Sequence, residues 1–293
     1  MTGLIVNADD FGRSPQVNAA VALAHRQGIL TSASLMVAEP GAAAAAAIAA
    51  ECPQLDVGLH LVACNGRSVL PARQLRGIVD ASGRFPTSES WAGLHYSLRR
   101  SLRSKLRDEF RAQIERHLQL VGRVYHIDGH HHIHTQPALA EIVIELAAEY
   151  HVPCLRMVRE PLRPALALSH DHWPRKLRDH LVYRWLTRRM ERRLPALGIR
   201  SNDCLFGLHE TGRLSERYVL DVLAHLPRNA VTEFYFHPAI DAAGEPPMWP
   251  SQKIEAEILT SPSVRAAIQK LGIRLMTFRE LAEMPVQHCS GGV

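Results

Sequence analysis

The chain has 293 residues, 46% of them apolar and 22% charged, enough for one large α/β domain or two small ones. No apolar run is long enough to span a bilayer, and the start, where Asp9 and Asp10 come early and no basic flank precedes them, is unlike a signal peptide. The net charge of +5 is uneven: Arg159 to Arg200 holds eleven Lys/Arg against four Asp/Glu, a net of +7, so the remainder nets −2.

In chain order, GLIVNA (Gly3–Ala8) reads as a buried strand. A helix follows, with Ser14 as N-cap, Pro15 at its first position and Gly28 beyond its end. Thr31–Val37 is a second strand, and the run GAAAAAAIAA (41–50) is a short alanine helix. Asp56–Val62 is a third strand, ahead of a Gly/Pro/Ser-bearing loop that runs to about Ser90. Leu106, Phe110, Ile114, Leu118 and Val121 then recur at helical spacing. RVYHIDG is a fourth strand, PALAEIVIELAAEY a helix and PCLRMV a fifth strand. CLFGLH is a weaker strand candidate, and VTEFYFHP and IRLMTF are later strands. Alternating strands and helices predict a parallel α/β fold, most simply a (β/α) barrel-like single domain, with an open doubly wound sheet as the alternative. NADDFG stands where a dinucleotide fold would carry its glycine-rich fingerprint. The five cysteines (Cys52, Cys64, Cys154, Cys204, Cys289) are odd in number, scattered and without a C-x-x-C pair, which predicts a reducing, cytoplasmic setting.

Active sites of parallel α/β folds lie at the carboxyl ends of the strands. Asp9 and Asp10 end the first strand, and His60 lies in the third. Asp128, His130, His131, His132 and His134 follow the fourth; Arg156 and Arg159 belong to the fifth, and His237 ends a later one. Singly, each has a plain structural role: an aspartate can cap a helix, a histidine can sit satisfied in a core, and HHHIH can be a solvated loop. Together at strand ends they point to a metal site, because adjacent carboxylates repel unless a cation neutralises one. An extended stretch would turn His130, His132 and His134 one way and His131 the other. One of them, an aspartate and His60 would form an Asp-His-His set with open positions, a catalytic rather than a closed structural site. The donors suit one divalent cation, Zn²⁺ first, with Mg²⁺, Mn²⁺, Co²⁺ or Fe²⁺ compatible.

NADDFG, GLH, HIDGHHHIH and FHPA occur in that order, and in combination they resemble the YdjC-like carbohydrate deacetylase family, with its chitooligosaccharide deacetylases. The likeness runs from about Leu4 to Arg159 and again from about Asn202 to Glu283. It implies a barrel-like fold, metal ligands at Asp10, His60 and His130, Asp9 as general base and His237 as general acid. It also places Arg156, with His132 and His134, among the substrate contacts. Gly129 departs from relatives that often carry serine there, a change expected to leave the chemistry alone. The expected reaction is hydrolysis of an acetamide to acetate and a free amino sugar. A catalytically silent sugar- or lipid-binding barrel is the competing reading.

The basic segment, about residues 160–201, leaves the pattern of the chitooligosaccharide enzymes. In a helical reading Leu177, Leu181, Trp185 and Met190 form an apolar stripe, with Arg178, Arg188, Arg189, Arg192 and Arg193 on much of the remainder. Such an insertion can be a helical hairpin packed on the barrel, or a membrane-surface helix in which Trp173, Tyr183 and Trp185 line a lipid approach. A basic patch alone makes a poor case for nucleic acid. The chain as a whole is similar to the hopanoid-biosynthesis-associated (HpnK) branch. That resemblance implies an N-acetylglucosaminyl hopanoid lipid as substrate and peripheral contact with the inner membrane face, with soluble chitooligosaccharide as the alternative.

Overall fold

The computed structural model describes residues 2–168 and 171–284. Cys289 lies outside them; the other four cysteines are free thiols. In chain order the elements are β1 (Gly3–Phe11), α1 (Pro15–Gln27), β2 (Ser32–Leu35), α2 (Ala42–Glu51), β3 (Asp56–Leu61), α3 (Glu89–Leu98), α4 (Arg103–Val121) and β4 (His126–Gly129). A 3-10 segment (His130–Thr135) leads into α5 (Pro137–Glu149), β5 (Cys154–Leu155), α6 (Leu162–Leu168), α7 (Trp173–Arg193) and β6 (Cys204–Phe206). The chain then runs through α8 (Glu216–Ala224), β7 (Val231–Phe236), α9 (Pro250–Thr260), α10 (Pro262–Lys270), β8 (Arg274–Met276) and α11 (Phe278–Glu283). Ser14 caps α1 by accepting from the Val17 N–H, with Pro15 at the first position, as the sequence predicts.

Every strand pair is parallel, in the order β5-β4-β3-β2-β1-β7-β6, with β8 against β1. The sheet curls into a half-barrel surrounded by helices. Its two edges approach through a few links: Leu155 donates to the Arg200 carbonyl at 2.9 Å, Arg200 to the Pro153 carbonyl at 2.8 Å and Leu205 to the Arg159 carbonyl at 2.9 Å. The weak CLFGLH candidate is therefore a true strand. It is short because its pairing is limited to Cys204–Phe206 against Thr232–Phe234.

The strand interior follows the two-residue period of the pleat. At the bottom, Ile5, Cys154, Val231, Met276 and Phe278 pack as an apolar plug. Above it the interior turns polar. Asn7 on β1 donates to Ser34 and to Asp9, and the His126 ring stacks on Phe278 with centroids 3.9 Å apart. A Cβ at Gly58 would fall 2.2 Å from that ring, so β3 needs glycine there. The larger apolar cluster lies between the sheet and its helices. It includes Leu4, Val6 and Ala8 of β1, the residues alternating with the inward set.

Two buried side chains on α4 fix the loop after β3. Gln113 imitates a strand by accepting from the Val62 N–H at 2.9 Å and donating to its carbonyl at 2.8 Å. Glu109 accepts the Val69 and Leu70 N–H groups at 2.9 Å each. The segment between β5 and β6 is helical, as expected, but its outward apolar stripe is not packed on the barrel. Leu186, Met190 and Leu194 are buried, whereas Leu177, Leu181 and Trp185 face outward. Glu160, at the start of this segment, is buried; burial pushes its carboxyl up to about 8, against donation from the His209 N–H and the Tyr218 hydroxyl.

Gln113→Leu strands two backbone groups, so urea unfolding should show a loss of about 2–3 kcal/mol. A loss within error would show that the loop holds without it. A carboxyl whose folded pKa lies above its unfolded value favours folding as the neutral acid, and the penalty grows as pH rises from the ordinary carboxyl range toward 8. Glu160→Gln should therefore raise Tm at pH 8 and leave it nearly unchanged at pH 4. Equal effects at both pH values would disprove the assignment.

Candidate metal centre

β1 does not end as a regular strand. Its register against β2 shifts between Ala8 and Phe11, and Asp10 takes φ 65°. This left-handed bulge brings two consecutive carboxylates, which a flat strand would turn to opposite faces, to the wall of one cleft. The cleft has a volume of about 910 Å³, and Asp9, Asp10, His130, His132, Tyr235 and His237 are among its lining residues.

Asp10, His60 and His130 converge. Asp10 Oδ1 lies 2.8 Å from His130 Nδ1 and 3.4 Å from His60 Nε2. Asp10 Oδ1 and His60 Nε2 are nonetheless buried without a hydrogen-bond partner, which is the condition of donor atoms arranged for a cation. A second group, Asp9, His60 and Asp128, is equally compact. There the cation is already built in: Arg156 donates to Asp9 at 2.7 and 2.8 Å and its Nη2 stands 2.8 Å from Asp128. The first group is therefore the one whose charge is left for a cation, and its carboxylate plus two imidazoles are donors that could hold a divalent ion.

The supporting contacts fix its electrostatics. His60 Nδ1 lies 2.8 Å from Asp128 Oδ1, directly across the β3–β4 pairing, so a carboxylate orients the imidazole from behind. Burial opposes ionisation of Asp10, but His130, His60 and Arg13 outweigh it and hold the carboxyl well below the usual range. Burial also disfavours a charged His60; the Asp128 and Asp9 charges reverse this and raise it to about 10. His130 meets one carboxylate but also Arg13 and His60, so burial prevails and its pKa falls.

The histidine run is not extended. His131 and His132 both take left-handed φ, 51° and 53°, so the expected one-way alternation is replaced by a tight 3-10 coil. His130 then faces Asp10 and His131 approaches Asn65. His132 Nε2 contacts the Tyr235 hydroxyl at 3.2 Å. Two residues expected at the substrate, His134 and Arg156, lie behind the cleft wall. His134 is wholly buried with Nε2 3.1 Å from the Arg156 carbonyl, and Arg156 is wholly buried among Asp9, Asp128 and Glu233. Neither is among the groups that line the cleft. Gly129 also does more than expected: a Cβ there would lie 2.9 Å from His134 Nδ1, so the glycine permits this inward packing. His237 lines the cleft, its backbone N–H donating to buried Glu255. Sequence reasoning noted Asp128 at its strand end but gave it no role; it missed Arg13, Glu233, Tyr235 and Glu255. For Glu233 and Tyr235 the signal was available, since Val231, Glu233, Tyr235 and His237 share one face of β7.

Asp128→Asn should weaken metal binding about 10–100-fold, because the His60 ring loses its carboxylate orienter. Competition against a fluorescent chelator measures this. Wild-type affinity in the variant would remove Asp128 from the site.

Comparison with known proteins identifies the family. The model of the family described as YdjC-like protein matches residues 3–270. A carbohydrate deacetylase of Brevibacillus brevis is 33% identical over 282 residues, covering 95% of this chain and 99% of that one. A chitooligosaccharide deacetylase of Serratia marcescens is 29% identical over 289 residues, covering 95% and 98%. A solved Enterococcus faecalis protein, described as a candidate cellobiose-phosphate cleavage protein, superposes with TM-score 0.73 at 25% identity, covering 96% of this chain and 98% of its own. The chain belongs to the YdjC-like protein family.

Proposed function

We propose that the protein is a metal-dependent N-deacetylase that removes acetyl from an N-acetylglucosaminyl group. One observation carries the reading: Asp10, His60 and His130 converge, with Asp10 Oδ1 and His60 Nε2 unsatisfied, and Asp10 and His130 line one cleft with Asp9 and His237. The deacetylase names of the relatives support it. Asp10, His60 and His130 would hold a divalent cation, Zn²⁺ by preference for this donor mix, which would supply Lewis acidity toward water and the acetamide carbonyl. Asp9 is the general base. Its Oδ1 already accepts from Asn7 and Arg156 and its Oδ2 only from Arg156, so Oδ2 retains acceptor capacity for the proton of water. Arg156 holds that carboxylate in place from behind, a positioning role in place of substrate contact. An amine anion leaves poorly, so the nitrogen must be protonated as the C–N bond breaks. His237, on the cleft wall, donates that proton.

For the rest of the substrate we take a glycolipid of the N-acetylglucosaminyl hopanoid class, met at the inner membrane face. What supports this is apolar surface beside the cleft: Trp173 and Trp185 are 57% and 63% exposed on α7, the helix whose Arg175, Arg178, Asp179 and Tyr183 line the cleft. Tyr183 stands inside, edge-on to His132 at 5.6 Å, and belongs to the cleft instead of the outer surface. Soluble chitooligosaccharide is the alternative, favoured by the Serratia relative's name.

Acetate release tests both levels. Chelator-sensitive release is expected from the N-acetylglucosaminyl hopanoid, with Asp9→Asn lowering kcat by about 10²–10⁴-fold. Release from chitobiose alone would retain the chemistry and remove the lipid. Release from neither by the metal-loaded protein would leave a silent binding barrel.

A further inference from the structure

α7 reads as parallel i,i+4 rows with distinct surroundings. Trp173, Leu177, Leu181 and Trp185 form one row, 57, 37, 57 and 63% exposed, with Val182 beside it at 45%. Twelve residues at helical rise make an apolar ridge about 18 Å long with a tryptophan at each end. His180, Arg184, Arg188 and Arg192 form the neighbouring row, offset by three residues along the helix. This row lines a second cavity of about 380 Å³, closed on its other side by Val158, Arg159, Glu160 and Leu208. Tyr183 and Leu208 belong to both cavities, so this one adjoins the candidate active site.

The charge of the second cavity is uncompensated. Arg159 pairs with Glu191, and on other faces of the helix Arg178 pairs with Asp179, and Arg189 and Arg193 with Glu141. Arg184, Arg188 and Arg192 have no ion-pair partner among the described residues. Glu160, the other carboxyl in the wall, is buried and accepts hydrogen bonds from His209 and Tyr218. At neutral pH its raised pKa keeps it largely uncharged.

A second helix has the same character. On α3, Trp91, Leu94 and Leu98 are 51, 60 and 74% exposed, at spacings of three and four, and Arg99 and Arg100 follow exposed. Glu89, the first residue of α3, lines the same cleft as the start of α7. Two unpartnered apolar rows thus start at the rim of one cleft, each flanked by arginines.

We propose that these two rows dock on an anionic lipid surface, with Arg184, Arg188 and Arg192 holding a phospholipid phosphate in the second cavity. Apolar side chains bounded by tryptophan suit the headgroup boundary, where an aromatic ring has one wet and one apolar side. Unpaired arginines beside them complement lipid phosphate, and guanidinium binds phosphate through paired N–H donors. Docking there turns the cleft rim to the membrane. The inference deepens the glycolipid reading and rests on it for its purpose, but its test needs no turnover.

The measurement is co-sedimentation of the full chain with vesicles of phosphatidylglycerol and phosphatidylcholine, against vesicles of phosphatidylcholine alone. The anionic vesicles should capture the protein and the neutral ones much less. Leu181→Asp should lower the partition roughly tenfold or more, and Arg184→Ala with Arg188→Ala should lower it by a similar factor for anionic vesicles only. Both variants should keep the wild-type Tm, since the altered side chains are exposed. Absence of capture, or capture unchanged by Leu181→Asp, would overturn the proposal. So would a wild-type dimer that Leu181→Asp converts to monomer, which would assign the ridge to a second copy. Stronger capture by duplex DNA than by anionic vesicles would assign the arginines to nucleic acid and likewise overturn it.

Discussion

One guanidinium holds the interior together. Arg156 enters from the end of β5 and reaches Asp9 on β1, Asp128 on β4 and Glu233 on β7, at 2.6 to 2.8 Å. β1 and β7 are far from β5 along the sheet order, so the contact crosses the inside of the curl. Three carboxylates in so small a dry volume would repel one another, and each alone would be costly to bury. Arg156 is fully buried and stays charged; burial works against this, but Asp128, Asp9 and Glu233 raise its pKa well above the ordinary value. The acids answer in graded fashion. Glu233, shielded least by other cations, is pushed by burial up to about 7, whereas Asp128, between Arg156 and His60, is held low despite the same burial. The fork geometry of arginine matters here, because a lysine could not meet three acids in fixed directions.

That interior connects fold to chemistry by height. The bottom layer is apolar, the middle is the Arg156 network and the top is the Asp10–His60–His130 set. Each strand contributes to more than one layer through its two-residue period: Ile5, Asn7 and Asp9 on β1, and Val231, Glu233, Tyr235 and His237 across and beyond β7. Asp10 and His60 are thus presented by strands whose lower residues are packed, and His130 by the 3-10 segment that follows β4.

Much of this was legible in the residues. The strands are short apolar runs bounded by turn residues, and the acids and imidazoles stand at their carboxyl ends, so the site could be located before any geometry was known. What was not legible was direction. Arg156 looks like a cleft residue because it is charged and near a strand end; only the fold reveals three acids behind it. The sequence alone suggests an extended histidine run, and two consecutive left-handed residues change which rings face the cleft. On α7 the sequence contains two apolar rows, Leu177–Leu181–Trp185 and Leu186–Met190–Leu194. Periodicity cannot say which is inward, because that depends on what the rest of the chain leaves uncovered.

The pairing of β1 has a consequence for how the molecule is made. Gly3–Ile5 pair with β8 on the side where Asn7–Phe11 pair with β2, and the opposite edge of β1 is taken by β7. β1 therefore waits for strands that follow it at long sequence separation. Sequence separations this long slow folding and leave an edge open in the meantime. Asp9 and Asp10 ride on that strand. The cleft they line is thus completed only when β7 and β8 arrive, and a nascent chain that ends before β8 carries these residues on an unfinished edge.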